Sequence, residues 1–137
     1  MKKFMFALLL LIALLSLTAC GGSNANTPAA DVKGNAENGK ALFAQSVIGS
    51  APGCATCHSL EADTVIVGPS MKGYASHAQM HADETGQSLE EYTRTSIVDP
   101  NAYVVEGFTA GLMYANFGTD LSSEQIDDLV AYLLTLK

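Results

Sequence analysis

The chain has 137 residues, with 7 Lys and Arg against 14 Asp and Glu, and its formal net charge is −7. This length predicts one small domain with a modest core and no second domain. An acidic surface repels phosphate backbones, so the charge balance argues against a nucleic-acid partner.

The N-terminus has the pattern of an export signal. It begins Met-Lys-Lys, an apolar run occupies residues 4–17, and the tetrapeptide Leu-Thr-Ala-Cys ends at Cys20. The run is shorter than the roughly 20 apolar residues that a membrane span needs, and polar residues follow it directly. The tetrapeptide resembles the lipobox of bacterial lipoproteins, which implies cleavage before Cys20 and diacylglycerol on its thiol. The alternative is an ordinary signal peptide in which Cys20 is incidental.

Residues 20–30 are predicted to be a lipidated cysteine followed by a flexible tether, because turn-forming residues dominate there and apolar bulk is low. The signal at 1–19 contains two lysines and no acid, so its removal takes the formal charge from −7 to −9. A negatively charged chain is repelled by anionic lipid headgroups. Membrane attachment is therefore expected to come from the lipid on Cys20. We therefore expect export, and anchorage on the outer face of the cytoplasmic membrane or in the periplasm.

The folded domain is predicted at 31–137, with its first helix from about Asn35 to Ser46. Gly39 and Phe43 lie four residues apart and share one face of that helix. Its predicted partner is the last helix, which begins with a capping box formed by Ser122 and Gln125. An apolar stripe at i, i+3, i+4, i+7 and i+8 follows the cap: Ile126, Leu129, Val130, Leu133 and Leu134.

A third helix is predicted from Ser88, which is capped against Glu91, to about Val98, where Asp99-Pro100 ends it. The rest of the chain is predicted to be loop, because no alternating strand pattern of any length is present. The fold class is therefore expected to be all-α, with long connections. A bound prosthetic group would compensate for the small apolar core.

Residues 54–58 read Cys-Ala-Thr-Cys-His, a C-x-x-C-H motif. On one helical turn, Cys54 and Cys57 direct their sulfurs to the same side, where two thioether bonds to a porphyrin can form. The adjacent imidazole of His58 is available as an iron ligand. The motif therefore predicts one covalently attached haem c.

Three other roles for these cysteines are compatible with the sequence. A redox dithiol is usually found beside a βαβ pattern, which this sequence lacks. A zinc site could combine Cys54 and Cys57 with His77 and His81, but the 19 residues between Cys57 and His77 exceed the usual finger spacing, and His58 would have no role. The third alternative is a plain disulfide.

Three features accompany the motif: the segment Gly-Pro-Ser-Met-Lys-Gly at 68–73, a loop methionine at Met113, and a final helix containing Leu-Val-Ala-Tyr-Leu. Together they resemble a class I cytochrome c over residues 31–137. The resemblance implies a small all-α fold in which the N-terminal and C-terminal helices cross. Residues 96–108, followed by Met113, are also similar to domains of haem-copper oxidase subunits and small respiratory lipoproteins, including the monohaem subunit of alternative complex III.

The resemblance also implies roles for individual residues. His58 is the proximal ligand, and the carbonyl of Pro69 accepts a hydrogen bond from its second ring nitrogen. Met113, in the loop before the last helix, is the other axial ligand, and Met71 packs in the haem pocket. One departure is Tyr114, because the family often has proline after this methionine.

Alternatives to these roles remain at this point. Residues 68–69 could be a simple turn, and His77 or His81 could replace methionine in a bis-histidine haem, although this pair is more typical of a solvated helix face. Met80 also follows the motif and is another candidate ligand, but it lies in a polar, histidine-rich stretch. Four aromatic residues are expected either to line the haem pocket or to belong to the ordinary core: Tyr74, Tyr103, Phe108 and Phe117.

Coordination by His58 and Met113 leaves no vacant iron site, so we expect a one-electron carrier in a respiratory or photosynthetic chain rather than an enzyme. Redox proteins or a membrane respiratory complex are the expected partners, and no small-molecule substrate is expected. One alternative is a fixed subunit of a larger quinol-oxidising or oxidase complex, or a structural role within it. The other is an open-site haem enzyme or sensor, which would require Met113 to be absent or labile.

Overall fold

A computed structural model describes residues 32–137. The predicted signal at 1–19, Cys20 and the tether at 20–30 lie outside the described residues. Within residues 32–137, no helix combines the length and apolar character needed to cross a membrane. The elements in chain order are α1 (Ala36–Phe43), β1 (Val47–Ile48), β2 (Ala51–Pro52), α2 (Cys54–Cys57), α3 (Tyr74–Thr85), α4 (Leu89–Val98), α5 (Phe117–Asp120) and α6 (Ser123–Leu133).

The first and last helices, α1 and α6, pack against each other as predicted. A Cβ on Gly39 would lie 1.9 Å from the carbonyl oxygen of Asp128, so the glycine allows the two backbones to approach closely. Beside this contact, the rings of Phe43 and Tyr132 meet edge to face with centroids 5.5 Å apart. The backbone N–H of Asn35, the N-cap of α1, donates to Asp128 Oδ1 at 2.6 Å. The predicted all-α fold with crossing terminal helices is confirmed.

The helix starts predicted from capping residues are also confirmed. At α6, Ser122 Oγ accepts from the Gln125 N–H at 3.2 Å, and Gln125 Oε1 accepts from the Ser122 N–H at 2.9 Å. At α4, Ser88 Oγ accepts from the Glu91 N–H at 3.2 Å. The predicted end of α4 at Val98 is confirmed, whereas α1 ends at Phe43 rather than at Ser46.

The prediction of loop is wrong for α3. This helix lies between Gly73 and Gly86, whose φ angles of 73° and 71° are in the left-handed region. Its buried face consists of Ala78 and Ala82, which pack against Tyr92 of α4. Alanine has the highest helix propensity of any residue but little apolar bulk, so this helix lacks the stripe of large apolar side chains that marks an amphipathic helix in a sequence.

The prediction of loop is also wrong for residues 47–52, because β1 and β2 form a small antiparallel hairpin before the motif. Val47 pairs with Pro52 and Ile48 with Ala51. Two residues in each strand are too few for an alternating pattern to be recognised in the sequence. The hairpin leads directly into Gly53, whose N–H donates to the Ser46 carbonyl at 2.9 Å.

The main core cluster extends from the α1–α6 contact to the motif. Met71, Ile97 and Phe117 are buried members of this cluster, and Cys54 and Met113 are partly buried against it. The packing of the helices therefore brings the motif and the loop before α5 to the same edge of the core.

Candidate functional site

The motif forms a single helical turn, α2, with Gly53 as its N-cap and His58 as its C-cap. A Cβ on Gly53 would lie 1.7 Å from the carbonyl oxygen of Gln45, so the turn starts where two backbone segments touch. Cys54 and Cys57 are free, partly buried thiols. Burial raises the pKa of the Cys54 thiol to about 11, which keeps it protonated at neutral pH.

The imidazole of His58 is held by the segment that follows the motif. Its Nδ1 lies 2.9 Å from the carbonyl oxygen of Pro69. With Nδ1–H donating to that carbonyl, the Nε2 lone pair is free for a metal. Burial lowers the pKa of His58, and the hydrogen bond to Pro69 opposes this effect in part, so the neutral imidazole that binds metals is favoured.

Gly68 was not recognised as a site residue from the sequence. A Cβ at this position would lie 2.4 Å from Cε1 of the His58 ring, so the backbone of Gly68 lies against the imidazole. The Gly-Pro pair at 68–69 indicates a turn, but a sequence pattern does not show which side chain the turn will contact.

Backbone hydrogen bonds attach this segment to the motif. The N–H groups of Val67 and Gly68 both donate to the Cys57 carbonyl, at 3.2 Å and 3.0 Å. The N–H of Met71 donates to the Ser59 carbonyl at 2.7 Å. Met71 therefore lies on the same wall as His58, directly beside the motif.

A cleft of about 510 Å³ lies between this wall and the chain at 100–115. Its volume is in the range that holds small molecules and cofactors. The residues that line it include no Asp, Glu, Lys or Arg. Every haem-site residue predicted in the described part of the chain lines this cleft: Cys54, Cys57, His58, Pro69 and Met113.

The four aromatic residues in question also line the cleft: Tyr74, Tyr103, Phe108 and Phe117. Phe117 belongs to the main core cluster as well, so its two expected roles coincide. A second cavity of about 40 Å³, bordered by Cys54, His58, Met71 and Met113, lies where the cleft meets the core.

The three methionines that follow the motif have different surroundings. Met113 is partly buried and borders both cavities. Met71 is buried, with 8% of its surface exposed, and packs in the core. Met80 lies on α3 with 55% of its surface exposed.

The histidine pair lies on α3, and neither ring is among those that line the cleft. His81 Nδ1 lies 3.0 Å from Tyr103 Oη and 3.3 Å from Glu84 Oε2, and Tyr103 Oη donates to Glu84 at 2.7 Å. In the region 32–137, no three His, Cys, Asp or Glu side chains are grouped so that they could hold a metal ion. The zinc alternative, which needs His77 and His81 beside the motif, therefore has no support.

The lining of the cleft fits a haem. Two thiols lie one helical turn apart on one wall, beside an imidazole whose Nδ1 already has a hydrogen-bond partner. The thioether of Met113 borders the same space. An imidazole and a thioether are both donors that the iron of a haem accepts. The remainder of the lining is mainly apolar and uncharged, as a largely apolar macrocycle requires.

Comparison with known proteins agrees with this chemistry. A family model described as cytochrome c matches residues 36–137. No curated protein matches the chain. The matched range begins at the first residue of α1 and includes every element from there to the C-terminus.

Proposed function

The chain belongs to the cytochrome c family of haem-based electron carriers, and we propose that it is a membrane-tethered carrier whose haem c is coordinated by His58 and Met113. A covalently attached haem c and electron exchange with redox partners follow from family membership. When bound, the haem supplies a one-electron couple between ferric and ferrous iron. The observation that carries the proposal is that the two thiols, His58 and Met113 all border one uncharged cleft.

On one wall, Cys54 and Cys57 hold the cofactor. If haem were bound, each thiol would add across one vinyl group, its sulfur bonding to one vinyl carbon and its hydrogen going to the other, so two thioethers would hold the cofactor. The short turn of α2 keeps the two sulfurs at the spacing that the attachment needs. Anchorage at two points beside His58 keeps the iron ligand and the attachment on the same rigid segment.

His58 is the proposed proximal ligand. The carbonyl of Pro69 selects the tautomer in which Nδ1 carries the proton and Nε2 is free to coordinate. Gly68 gives the ring space, because any side chain there would overlap the imidazole. Both neighbours therefore determine the direction of the Nε2 lone pair.

Met113 is the proposed second axial ligand. Met71 also borders the cleft, but its backbone is hydrogen-bonded to Ser59 on the His58 wall, whereas Met113 belongs to the separate segment before α5. If His58 held the haem iron from its own wall, a second protein ligand would come from a different part of the lining, which favours Met113. A thioether in an apolar setting raises the reduction potential, because it favours the less charged ferrous state.

Electron carriage is the function that best fits this lining. If His58 and Met113 both coordinated the iron, no site would remain there for oxygen or peroxide. The described lining of the cleft also offers no carboxylate, lysine or arginine that could serve as an acid or base for an enzyme.

The location we propose is the outer face of the cytoplasmic membrane or the periplasm, with the chain held by a lipid anchor. Cleavage of residues 1–19 and lipidation of Cys20 would anchor the chain, and the tether at 20–30 would allow the domain at 31–137 to reorient between redox partners. The tetrapeptide that ends at Cys20 supports this part of the proposal.

The ferric absorption spectrum tests the ligand assignment. The unmodified holoprotein should show the weak band at the red edge that sulfur-to-iron charge transfer produces, and Met113→Ala should lose it and have a lower reduction potential. Two control variants should keep the band. Met71→Leu conserves the volume of a buried side chain, and Met80→Ala changes an exposed one. A band that survives in Met113→Ala would exclude this residue as the ligand.

A further inference from the structure

Tyr114 directly follows Met113. Proline, which the family often has at this position, would restrict the backbone there, whereas tyrosine does not. The N–H groups of residues 112–115 donate no hydrogen bond to any group in the described chain. Just before them, the Gly111 N–H donates to Asn101 Oδ1 at 2.8 Å, and just after them α5 begins at Phe117. The backbone around Met113 therefore has few hydrogen bonds that hold it in place.

The side chain of Tyr114 makes the contacts that this backbone lacks. Its hydroxyl donates to Asp120 Oδ2 at 2.8 Å, at the end of α5. Its ring meets that of Phe117 edge to face, with centroids 5.1 Å apart and planes at 71°. Phe117 is 5% exposed and belongs to the core, so Tyr114 is attached to a rigid part of the molecule.

The same hydroxyl reaches the hairpin on the other side. Ser50 Oγ lies 3.3 Å from Tyr114 Oη, and a Cβ on Gly49 would lie 3.4 Å from Asp120 Oδ2. The hairpin turn therefore lies against the hydroxyl–carboxylate pair. The hairpin leads through Gly53 into Cys54. This contact therefore joins the wall that carries the two cysteines to the segment that carries Met113.

We propose that Tyr114 is a positioning residue for Met113. Its hydroxyl and ring hold the methionine segment against α5 and the hairpin, a role that proline performs through backbone restriction. The inference rests on the proposed function, because it requires Met113 to be an axial ligand. Tyr114 itself does not touch the iron; it lowers the population of conformations in which the sulfur has moved away.

An added ligand measures that population. Imidazole binds ferric iron only when the methionine has left, so its apparent affinity rises in proportion to the fraction of open molecules. Tyr114→Phe keeps the ring contact with Phe117 and removes only the hydroxyl. Loss of a partly exposed hydrogen bond to a carboxylate should raise the imidazole affinity about three- to tenfold.

The experiment is a titration of the ferric holoprotein with imidazole, followed through loss of the red-edge band. It compares the unmodified chain with Tyr114→Phe, Asp120→Ala and the double variant. If the two groups act as a pair, Asp120→Ala should raise the affinity in the unmodified chain and change it far less in the Tyr114→Phe background. Tyr132→Phe is the matched control, since it removes a tyrosine hydroxyl at the α1–α6 contact, away from the cleft.

The outcomes separate this inference from the proposed function. Equal imidazole affinity in the unmodified chain and Tyr114→Phe, with the band present in both, would overturn the positioning role and leave Met113 as ligand. An equal rise in Tyr132→Phe would also overturn it, because the effect would then be general destabilisation. Absence of the band from the unmodified holoprotein would remove Met113 as ligand, and the positioning role with it.

Discussion

The orientation of His58 depends on two consecutive residues of very different character. The carbonyl of Pro69 accepts a hydrogen bond from the imidazole, and Gly68 has no side chain that would overlap the ring. For the proposed iron ligand such partners matter, because a misdirected lone pair coordinates a metal poorly.

Gly68→Ala should therefore affect the site through steric overlap. The new Cβ would lie 2.4 Å from the imidazole, so the ring must turn and its hydrogen bond to Pro69 must weaken. We expect a lower yield of holoprotein, an altered ferric spectrum and a lower midpoint of thermal unfolding. The matched control is Gly86→Ala, where φ is 71° and nothing lies within 4 Å. It should cost about 1 kcal/mol of stability through backbone strain and leave the spectrum unchanged. Indistinguishable spectra for Gly68→Ala and the unmodified chain would contradict this account.

Ionisation of Tyr74 should lower the stability of the protein at alkaline pH. Burial raises the pKa of this phenol to about 12 from an ordinary value of 10.0, and its hydroxyl donates to Thr93 Oγ1 at 3.2 Å. Because the folded pKa lies above the unfolded one, the contribution is complete below pH 10 and is lost as the pH rises from 10 to 12. The free energy of unfolding, measured by denaturant titration across this window, should fall less steeply in Tyr74→Phe. Parallel curves for the two proteins would show that Tyr74 ionises equally in both states.

At the scale of the helices, the contact between α1 and α6 is the main support of the fold. It contains Gly39 at the point of closest approach and a buried carboxylate, that of Asp128, which accepts the N–H of Asn35. Gly34 is similarly crowded, since a Cβ there would lie 2.3 Å from the Asp127 carbonyl oxygen. Close approach of the backbones is thus required at two places along α6.

Gly39→Ala tests this contact. Alanine favours a helix by about 1 kcal/mol over glycine, but the Cβ would overlap the Asp128 carbonyl and push the helices apart. We expect a net loss of about 2 to 4 kcal/mol in the free energy of unfolding of the holoprotein. Asn38→Ala, on the exposed side of α1, is the control and should be neutral or slightly stabilising. Equal stability of the two variants would mean that α1 and α6 do not need this approach.

Elements differ in how well the sequence predicts them. The starts of α4 and α6 were recognisable because a serine and a residue three positions later form the cap. By contrast, α3 has a buried face of alanines and was missed, as was a hairpin with two residues in each strand. Capping is a local interaction, whereas the burial of a small side chain depends on which helix lies above it.

At the scale of the whole molecule, the net charge is negative, whereas the lining of the cleft carries no charged side chain. The formal charge is −7, or −9 if residues 1–19 are removed, and one of the few cations, Arg94, is paired with Asp127 of α6 and lies near Glu90. The lining of the cleft contains no Asp, Glu, Lys or Arg. Long-range attraction is therefore expected to guide positive partners, while the contact at the cleft itself is apolar.

Electron transfer should consequently depend on salt with a sign that follows the charge of the reagent. Oxidation of the ferrous holoprotein by ferricyanide should become faster as ionic strength rises, because screening reduces repulsion between two anions. Oxidation by the cation tris(phenanthroline)cobalt(III) should become slower over the same range. Stopped-flow measurement of both rates, each reagent serving as the control for the other, tests the idea. Rates that do not respond to salt would indicate that the uncharged cleft alone governs the encounter.

The sequence alone determined the haem-attachment motif, the helix caps and the apolar face of the last helix, because each depends on residues a few positions apart or on one clear periodic face. Tertiary structure decided which residues support the site. Ser50 meets Tyr114 across 64 positions, and Asn35 meets Asp128 across 93. The fit of Gly68 against His58, and the presence of Asp120 under the hydroxyl of Tyr114, also depend on how the backbone turns between them. Such contacts have no local signal, since they exist only once packing has brought distant segments together.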